Sequence, residues 1–508
     1  MVDHDHCIQL IFARWTVDLE LRKVGIVASG STVIDAITIL NDGEEKKVKA
    51  EDLVVIDNRN GNRIMAVCRT AVGSNENLRA VGFSPGIAYA RLGRHPSTAK
   101  EYYVFTLDVL GDISSEKLEQ NKTVIAPSSE VLLFEQEDNP MSHLGSPNGS
   151  VGYYKDHPKW TVPMLAKFIS YHIGVFAVTG AGKSLLARYQ IIPFLQKSGY
   201  DVMIIDWKGS DYTPHFNAKL TMGDLALDDD SVVDYLSAAM NDFGYFGASY
   251  KEENPIKAAL ETIICKGDWR KLHTPVELRN HIETNVIGEL SIELATDDGK
   301  GGKKVTSYGR GQIERFKRHL AKASDQEIKN VMGTVKPEQI VELAKKEHVA
   351  VLDISAGGKD EKLSVFLTIA NHLRRMMQEK QELKVALVID EGPQYCPFSP
   401  KGKEAKTTEA ISELCAVGRS YALCIVLLSQ GISGEIGINA AVRRNLNTQF
   451  IGKIHPLDME EAKRLLAQGK IEDKSLTLLP EGDFYFLGKM NPSPVPLLIH
   501  FDLPKGVA

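Results

Sequence analysis

The stretch Ala177-Val-Thr-Gly-Ala-Gly-Lys-Ser184 decides the fold, because it places a glycine-rich turn between a strand and a helix. Residues 173–178 form a short apolar run typical of a buried parallel strand, and residues 184–195 have the apolar spacing of a helix. Gly180 and Gly182 allow a sharp turn that brings backbone amides close to an anion. Because the N-terminus of a helix adds a field that favours negative charge, the stretch predicts a phosphate cradle.

The cradle departs at one position from the phosphate-binding pattern G-x4-G-K-[ST], because Ala177 replaces the first glycine. That residue ends the strand, farther from the phosphates, so an alanine is tolerable there. We expect Lys183 to reach the β- and γ-phosphates and the Ser184 hydroxyl to hold Mg²⁺. A glycine-rich turn without a ligand is the alternative. The predicted nucleotide-binding residues are Thr179, Gly180, Ala181, Gly182, Lys183, Ser184 and Leu185.

A second stretch, Val385-Ala-Leu-Val-Ile-Asp-Glu391, is an apolar run that ends in two acids. Such a strand places its carboxylates at the C-terminal edge of a parallel sheet, where α/β folds bind ligands. We expect Asp390 to hold Mg²⁺, through water, and Glu391 to orient and polarise the attacking water. A strand that ends in two solvated acids is the alternative. Together with the cradle, the stretch is typical of a P-loop NTPase that hydrolyses a nucleoside triphosphate with Mg²⁺.

Composition limits the remaining possibilities. The chain has 508 residues, enough for about three domains. Its net charge is -6, so any grip on DNA must come from a local basic surface. The 6 cysteines show no C-x-x-C spacing, which favours reduced thiols in the cytoplasm. No apolar run approaches the length of a membrane span and no signal peptide is visible, so we expect a cytoplasmic protein that is not embedded in a membrane.

The order of patterns along the chain predicts three parts. Residues 1–145 are rich in short β-branched runs, with Asn60-Gly61 as a hairpin signal, and predict a small β-barrel. Residues 146–215 and 347–508 predict the ATPase core with a C-terminal extension, and residues 216–346 predict a helical insertion. The expected fold class is therefore α/β, a RecA-like P-loop NTPase core with a parallel-rich central sheet, a small N-terminal β-barrel and a helical insertion.

Taken together, the motifs of this chain resemble those of HerA-type ATPases, within the HerA/FtsK group of ring-forming DNA pumps. The N-terminal stretch Lys23-Val-Gly-Ile-Val-Ala-Ser is similar to the small barrel that precedes HerA cores. The other segments that carry the resemblance are Thr179-Gly-Ala-Gly-Lys-Ser184, Asp206-Trp-Lys-Gly-Ser-Asp211, Ile389-Asp-Glu391, Gly418-Arg419, Leu427-Leu-Ser-Gln430, Asn447-Thr-Gln449 and Leu479-Pro-Glu-Gly482.

The resemblance implies a homohexameric ring that closes nucleotide sites between subunits and passes duplex DNA through its pore. It also implies a partner docked through the N-terminal barrel. That partner is either a nuclease of the NurA kind, which serves DNA end processing in repair, or an effector of antiviral defence.

The resemblance also assigns roles to two polar residues. Gln430 would sense the γ-phosphate from the end of its strand, where its amide is well placed to orient a water. Arg419 would be an arginine finger offered to a neighbour's nucleotide. Relatives often carry a second arginine three residues earlier, at the place of Ala416, so the role could instead shift to Arg443 or Arg444. A surface ion pair is the alternative for each arginine.

The resemblance places DNA contacts in the insertion, where Gly309-Arg-Gly311 is expected to be a flexible basic loop that tracks phosphates without reading bases. A solvated basic helix face is the alternative. The candidate contacts are Lys303, Lys304, Arg310, Arg315, Lys317 and Arg318.

Three functions follow from these patterns. The first is an ATP-hydrolysing ring motor, a helicase or translocase that moves or unwinds duplex DNA. The second is an assembly scaffold whose nucleotide site controls the recruitment and activation of a nuclease or other effector. The third, a small-molecule kinase, is disfavoured by the second acid at Glu391 and by the absence of a substrate-lid signature.

Overall fold

A computed structural model gives the structure of the chain. It describes residues 21–78, 85–94, 101–115, 117–145, 149–240, 254–297, 302–471 and 473–503. The first 20 residues of the predicted barrel segment lie outside the described residues.

Strands predominate as far as Pro163, and helices and strands are interspersed after it. The strands are β1 (Arg22–Val27), β2 (Asp35–Leu40), β3 (Leu53–Asn58), β4 (Asn62–Asn75), β5 (Glu101–Asp112), β6 (Glu130–Leu133), β7 (Ser150–Tyr154), β8 (Thr161–Pro163), β9 (Ile173–Phe176), β10 (Asp201–Asp206), β11 (Lys219–Thr221), β12 (Ala295–Asp297), β13 (Lys303–Val305), β14 (Val349–Asp353), β15 (Val385–Ile389), β16 (Leu423–Ser429), β17 (Thr448–Ile451), β18 (Phe484–Gly488) and β19 (Leu497–His500). The helices are α1 (Pro85–Arg91), α2 (Lys183–Leu186), α3 (Ile192–Lys197), α4 (Asp229–Ala239), α5 (Pro255–Cys265), α6 (Pro275–Glu293), α7 (Ser307–Leu320), α8 (Asp325–Asn330), α9 (Pro337–Glu347), α10 (Lys359–Gln378), α11 (Gly392–Tyr395), α12 (Lys403–Gly418), α13 (Ala440–Asn445), α14 (Met459–Leu466) and α15 (Asp473–Leu478).

Contacts divide the chain into two compact units, Met1–Leu165 together with Phe450–Ala508, and Ala166–Gln449. The domain boundaries expected from the sequence stay a prediction. None of the helices within the described residues has both the length and the apolar character needed to cross a bilayer.

The first unit contains a closed six-stranded barrel with the strand order β1-β2-β5-β4-β3-β6, which confirms the predicted small barrel. The predicted hairpin at Asn60-Gly61 joins β3 to β4, with Asn58 opposite Asn62, and Gly61 has a φ of 99° that glycine adopts without strain. Apolar side chains fill the barrel interior, and along much of β3 and β4 both faces of the strand are buried. The interior side chains include Val24, Ala36, Val54, Ile56, Ile64, Ala66, Leu107 and Val131.

A buried ion cluster lies within the first unit and centres on Arg69 of β4. Its guanidinium forms ion pairs with Glu51 and, at 3.2 Å, with Asp108, and it donates to the Pro496 carbonyl oxygen at 2.7 Å. The Tyr485 hydroxyl donates to Glu51 at 3.1 Å. Burial opposes the charge of Arg69, but Glu51 raises the pKa of the guanidinium above its ordinary value. The cluster therefore joins the barrel to the C-terminal strands of the same unit with its charges paired.

The second unit is built on a parallel sheet with the strand order β11-β14-β10-β15-β16-β9. Every residue of β9, β15 and β16 is buried, as expected for strands covered on both faces. β16 lies between β9, which leads into the phosphate cradle, and β15, which ends at the two acids. This RecA-like arrangement confirms the predicted parallel-rich core, and it brings the C-terminal ends of the three strands to one edge.

The segment between β11 and β14 is mostly helical, which confirms the predicted insertion, but Gly309-Arg-Gly311 is not a loop. That expectation was wrong, because these residues lie in the first two turns of α7. The Thr306 side chain caps the helix by accepting from the Gly309 N–H at 3.0 Å. Gly309 also packs closely, since a Cβ there would lie 2.8 Å from the Val305 side chain. Close packing and a cap outweigh the low helix propensity of glycine here.

Candidate functional site

The predicted phosphate cradle is an open turn between β9 and α2. Gly180 and Gly182 have φ values of 80° and 94°, a left-handed conformation that glycine adopts without strain. A Cβ on Gly180 would meet no atom within 4 Å, so the space beside this residue is open. Helix α2 begins at Lys183, and the N–H groups of its first turn have no partners within the helix. The turn therefore has the shape and the donors that a phosphate group needs.

Lys183 lies against this turn and faces the acids at the end of β15. Its ammonium donates to the Val178 carbonyl oxygen at 3.1 Å, which folds the side chain back over the cradle. Burial lowers the pKa of Lys183, while Glu391 and Asp390 act to raise it. The structure thus brings together the two stretches from which the sequence predicted a triphosphate site, Lys183 and Ser184 on one side and Asp390 and Glu391 on the other.

The helix after the cradle contains a π-helical turn. That turn, Ala187–Ile191, lies between α2 and α3, and Pro193 stands at the start of α3. Proline lacks the N–H that a regular helical hydrogen bond requires, which accounts for the irregularity. From this turn Arg188 donates to the Asp211 carbonyl oxygen at 3.1 Å, which ties the helix to the loop after β10.

Asp390 is a buried carboxylate whose hydrogen bonding is incomplete. It is 2% exposed, and its Oδ2 atom has no hydrogen-bond partner among the described residues. Burial raises the pKa of Asp390, and the charges of Glu391 and Asp211 raise it further. A buried carboxylate oxygen without a partner is costly unless a ligand completes it. An ion of Mg²⁺ with its water shell supplies what this atom lacks.

Glu391 stands in a strained position between two donors. Its φ of 54° is left-handed, a conformation that costs a non-glycine residue about 1 kcal/mol or more. The Gln430 amide donates to both of its carboxylate oxygens, at 3.1 and 3.0 Å. The Lys208 ammonium lies 2.5 Å from its Oε1 atom. The carboxylate is therefore held at the edge of the sheet, and Gln430, expected to sense the γ-phosphate, lies beside it.

Two residues of the site were missed by the sequence reasoning, Lys208 and Tyr212, although Lys208 lies in the quoted stretch that follows β10. Tyr212 is fully buried within electrostatic reach of Asp390 and Ser184, and burial raises the pKa of its hydroxyl well above its ordinary value. The signal that could have found Lys208 is its place directly after a strand that neighbours β15. Since Ile205 is opposite Ile389, the residues that follow these two strands meet at one edge.

The candidate arginines lie at different edges of the sheet. Arg419 is exposed, precedes β16 and stacks on the Tyr171 ring at 3.7 Å, with a hydrogen bond to the Tyr171 hydroxyl. Gln430 follows the same strand, so Arg419 lies at the opposite edge from the acids. Arg443 donates to the Ile432 carbonyl oxygen at 2.7 Å, close after Gln430, and Arg444 is exposed. Arg419 therefore cannot contact the cradle of its own chain without a large rearrangement.

The arrangement defines a class of protein. A glycine turn that leads into a helix, a lysine over it, a hydroxyl in the first helical turn and a buried acid fit a nucleoside triphosphate with Mg²⁺. The adjacent Glu391, with Gln430 beside it, fits the orientation of a water for attack. These features define a P-loop ATPase that uses ATP and Mg²⁺.

Comparison with known families agrees with this class and narrows it. Residues 150–376 match the family described as Helicase HerA, central domain. The match contains the cradle and the loop after β10, and it ends before the acids of β15. Residues 150–376 are therefore similar to the central domain of HerA, and the resemblance predicted from the motifs is confirmed. No curated protein sequence matches the chain.

Solved structures give weaker similarities. VirB4 of Thermoanaerobacter pseudethanolicus is 14% identical, with a TM-score of 0.48, over 71% of this chain and 98% of that one. The bacterial conjugative coupling protein TrwB is 12% identical, with a TM-score of 0.43, over 71% and 90%. The genome packaging NTPase B204 from Sulfolobus turreted icosahedral virus 2 is 13% identical, with a TM-score of 0.31, over 65% and 97%. At these TM-scores the similarities add nothing to the functional conclusion, which rests on the site and the family match.

Proposed function

We propose that this protein is an ATP-driven ring motor that translocates along or unwinds duplex DNA. The observation that carries the proposal is the meeting of Lys183 with Asp390 and Glu391 at one edge of the sheet, in a chain whose central region is of HerA type. ATP hydrolysis at such a site supplies the energy for movement. The description of the matching family as a helicase indicates a nucleic acid as the substrate.

Each group of the site takes one role in hydrolysis. The turn at residues 179–182 and Lys183 would bind and orient the phosphates, and Ser184 and Asp390 would hold the metal ion. Mg²⁺ bound there would neutralise charge that develops on the phosphates. Glu391 would orient the attacking water, and Gln430, whose amide donates to the Glu391 carboxylate, would sense the γ-phosphate.

The location of Arg419 supports a ring in which nucleotide sites lie between subunits. The residue is exposed at the edge of the sheet opposite the cradle, where a neighbouring subunit could receive it. A planar, permanently charged guanidinium suits the charge of a phosphoryl transition state. The ring of six subunits is the number that the HerA resemblance implies.

The DNA-binding surface that we propose is the basic face of the insertion. Arg310, Lys317 and Arg318 are exposed on α7, and Arg315 is half-buried there. Lys303 and Lys304 are exposed on β13, which precedes this helix. A fixed helical face with these cations suits contacts to the phosphate backbone, which are independent of base sequence.

ATP hydrolysis with and without duplex DNA tests the proposal. We expect duplex DNA to stimulate hydrolysis, Lys183→Ala to abolish it, and Glu391→Gln to retain bound nucleotide while hydrolysis falls by ~10³-fold, as loss of a group that positions the nucleophile can cost. Absence of DNA binding at low salt together with absence of stimulation would contradict the motor. Normal hydrolysis by Glu391→Gln would contradict the role of Glu391.

A second function, an assembly scaffold for a nuclease or other effector, is favoured by the surface of the barrel. Ile26, Ile37 and Val72 are exposed on its strands β1, β2 and β4, at 36%, 42% and 51%. Exposed apolar side chains on a compact module suit a protein partner. The scaffold is distinguished by effector activity that persists with Glu391→Gln, whereas the motor requires hydrolysis for movement. Roles in DNA repair and in antiviral defence both remain within this proposal.

A further inference from the structure

Lys208 makes a close contact with the residue that is proposed to orient the attacking water. Its ammonium lies 2.5 Å from Oε1 of Glu391 and 4.0 Å from the carboxylate of Asp211. The hydrogen bond with Glu391 raises the pKa of Lys208, so the ammonium stays charged. The same ammonium lies close enough to Lys183 to act on its charge. Lys208 is therefore part of the charged group at the end of β15, although it belongs to a different strand.

The backbone around Lys208 is fixed by Asp206, the last residue of β10. One carboxylate oxygen of Asp206 accepts the backbone N–H groups of Lys208 and Gly209, at 3.3 and 2.9 Å. Its other oxygen accepts the N–H groups of Tyr212 and Thr213, at 3.0 and 2.9 Å, and the Thr213 hydroxyl at 2.9 Å. Asp206 is fully buried, so these bonds are shielded from water. The loop after β10 is thus folded around one carboxylate.

Contacts on the other side of the loop restrict it further. A Cβ on Gly209 would lie 2.7 Å from the Ser355 hydroxyl oxygen and 2.9 Å from the Asp353 carboxylate, and its φ is 72°. Trp207 packs against the Tyr395 ring at 5.1 Å. The Lys362 ammonium lies 4.7 Å from the Trp207 ring and donates to its carbonyl oxygen at 3.0 Å. The residues on both sides of Lys208 are therefore fixed, and the backbone from which its side chain extends has a defined position.

We infer that Lys208 is a positioning residue of the hydrolysis site, which together with Gln430 fixes the carboxylate of Glu391 for the attacking water. A carboxylate has about four lone-pair positions. The Gln430 amide takes one on each oxygen and Lys208 takes a second on Oε1, so the remaining position on Oε2 is left for water. This inference rests on the proposed hydrolysis of ATP, and it acts through Glu391 rather than on the nucleotide.

An ordinary surface ion pair is the competing explanation, since the Lys208 side chain is 46% exposed. Such pairs contribute little because both side chains must be immobilised from free rotation. Two observations distinguish this pair. Glu391 is itself held by Gln430 in a strained backbone conformation, and the loop that carries Lys208 is fixed by Asp206 and Trp207. The ion pair therefore forms between two groups that are already in place, which is what a positioning contact requires.

Steady-state hydrolysis by the full chain, with nucleotide affinity measured separately, tests the inference. We expect Lys208→Met to lower kcat about 10- to 100-fold, because a misplaced catalytic group costs on this order. The affinity for a non-hydrolysable ATP analogue should stay within about twofold. Lys208→Arg, which keeps the charge but carries it on a larger, planar head group, should recover part of the lost kcat.

The matched control is Lys197→Met, which removes an exposed lysine at the end of α3. It should leave both kcat and affinity unchanged. A kcat of Lys208→Met within twofold of the wild type would overturn the inference. So would a weakened affinity with an unchanged kcat, because Lys208 would then bind the nucleotide.

A double variant separates action through Glu391 from direct action on the phosphate. In the Glu391→Gln background, Lys208→Met should change the residual rate less than twofold, since the two residues act as a unit. A further tenfold loss would overturn the inference by placing Lys208 on the phosphate.

The experiment also separates this inference from the proposed motor. Basal hydrolysis without DNA reports on Lys208, whereas stimulation by duplex DNA reports on the motor. Wild-type hydrolysis that DNA does not stimulate would contradict the motor and leave the Lys208 result intact. A wild type without hydrolysis would overturn both.

Discussion

The two units of the chain each hold a group of buried charges, and the two groups differ in how completely their polar atoms are paired. In the first unit, Arg69 is paired with Glu51 and Asp108, and its third guanidinium nitrogen donates to the Pro496 carbonyl oxygen. In the second unit, Asp390 keeps a buried oxygen without a partner among the described residues, and Glu391 lies in a strained conformation. The charges of the first group are all paired within the protein, whereas the second group still lacks a partner for one carboxylate oxygen.

The difference separates a structural role from a functional one. Burying a polar atom without a partner costs on the order of 1–3 kcal/mol, so a folded protein retains such an atom where a ligand will complete it. A paired cluster such as that of Arg69 fixes one arrangement of strands and needs no ligand. Incomplete charges at a sheet edge therefore mark the functional site better than the number of charges does.

The largest effect should come from removing Arg419, the cation that a neighbouring subunit is proposed to add to the nucleotide site. If Arg419 completes the site of a neighbour, Arg419→Ala should lower ATP hydrolysis by ~10³-fold or more, as loss of an arginine finger does. Nucleotide binding should persist. Arg443→Ala should have a smaller effect, because Arg443 is tied to the Ile432 carbonyl oxygen. Steady-state ATPase rates of the purified proteins measure the difference.

Mixing experiments show in which subunit Arg419 acts. Subunits with Lys183→Ala and subunits with Arg419→Ala are each inactive alone, but a mixed ring contains some interfaces with both residues intact. Partial recovery on mixing supports action between subunits. If no mixture recovers activity while mixed rings form, the assignment to Arg419 is wrong.

Breaking the complete cluster should affect stability rather than catalysis. Arg69→Met leaves Glu51 and Asp108 buried without their cation, which should lower the free energy of unfolding of the barrel by about 3–5 kcal/mol. Hydrogen exchange of the barrel strands in urea measures this loss. Arg63→Met, at an exposed position of the same strand, is the control and should change it little. Equal stabilities of the two variants would show that the cluster is dispensable.

A third buried group, His172 before β9, should make stability depend on pH. Its Nδ1 accepts the Ile425 N–H at 3.1 Å, so its Nε2 carries the proton and donates to the Cys415 carbonyl oxygen at 2.7 Å. Burial lowers the pKa of His172 from 6.5 to about 4, and the charge of Arg419 lowers it too. Between these pH values the unfolded chain binds the proton and the folded chain does not. Stability is therefore lost as the pH falls from 6.5 towards 4, by about 3 kcal/mol.

The variant His172→Gln tests this pH dependence. A glutamine can keep part of the hydrogen bonding but does not titrate, so its free energy of unfolding should fall less than that of the wild type between pH 7 and pH 4. Urea unfolding at several pH values gives both curves. Parallel curves would show that His172 does not contribute to the acid sensitivity.

The smallest effect should be the stabilisation gained when the incomplete site is filled. A ligand at 100 times its dissociation constant stabilises a folded protein by about 2.7 kcal/mol. Mg²⁺ with a non-hydrolysable ATP analogue should therefore raise the thermal midpoint of the wild type, and Asp390→Asn should lose the part that depends on Mg²⁺. Glu382→Gln, an exposed acid before β15, is the control. A midpoint shift that EDTA does not reduce would contradict the metal role of Asp390.

Much of the fold could be predicted because its signals are local. A glycine turn after an apolar run places the cradle, and the Asn60-Gly61 turn between two β-branched runs places a hairpin of the barrel. The wrong expectation at Gly309 to Gly311 has the opposite cause. Glycines there favour a loop by propensity, but contacts with Val305 and Leu294, made only in the folded chain, select a helix.

The candidate site could be predicted in part for the same reason. Lys183, Ser184, Asp390 and Glu391 lie in motifs whose chemistry depends on neighbours in sequence. The contact between Lys208 and Glu391 depends on the pairing of β10 with β15, which no local pattern gives. The roles assigned to Gln430 and Arg419 stay predictions, although the structure places one beside Glu391 and the other at the opposite edge.

Strand β16 is buried along its whole length between two other strands. Gln430 directly follows its last residue, and Arg419 lies four residues before its first. Seven residues of extended chain measure about 23 Å. A strand packed on both faces bends little, so its two ends keep a fixed separation. If the subunits form the proposed ring, the end of β16 near Gln430 would lie beside the nucleotide of its own subunit. The end near Arg419 would lie beside the nucleotide of the next subunit. A displacement of β16 at one nucleotide site would then be transmitted to the neighbouring site without any flexible connection.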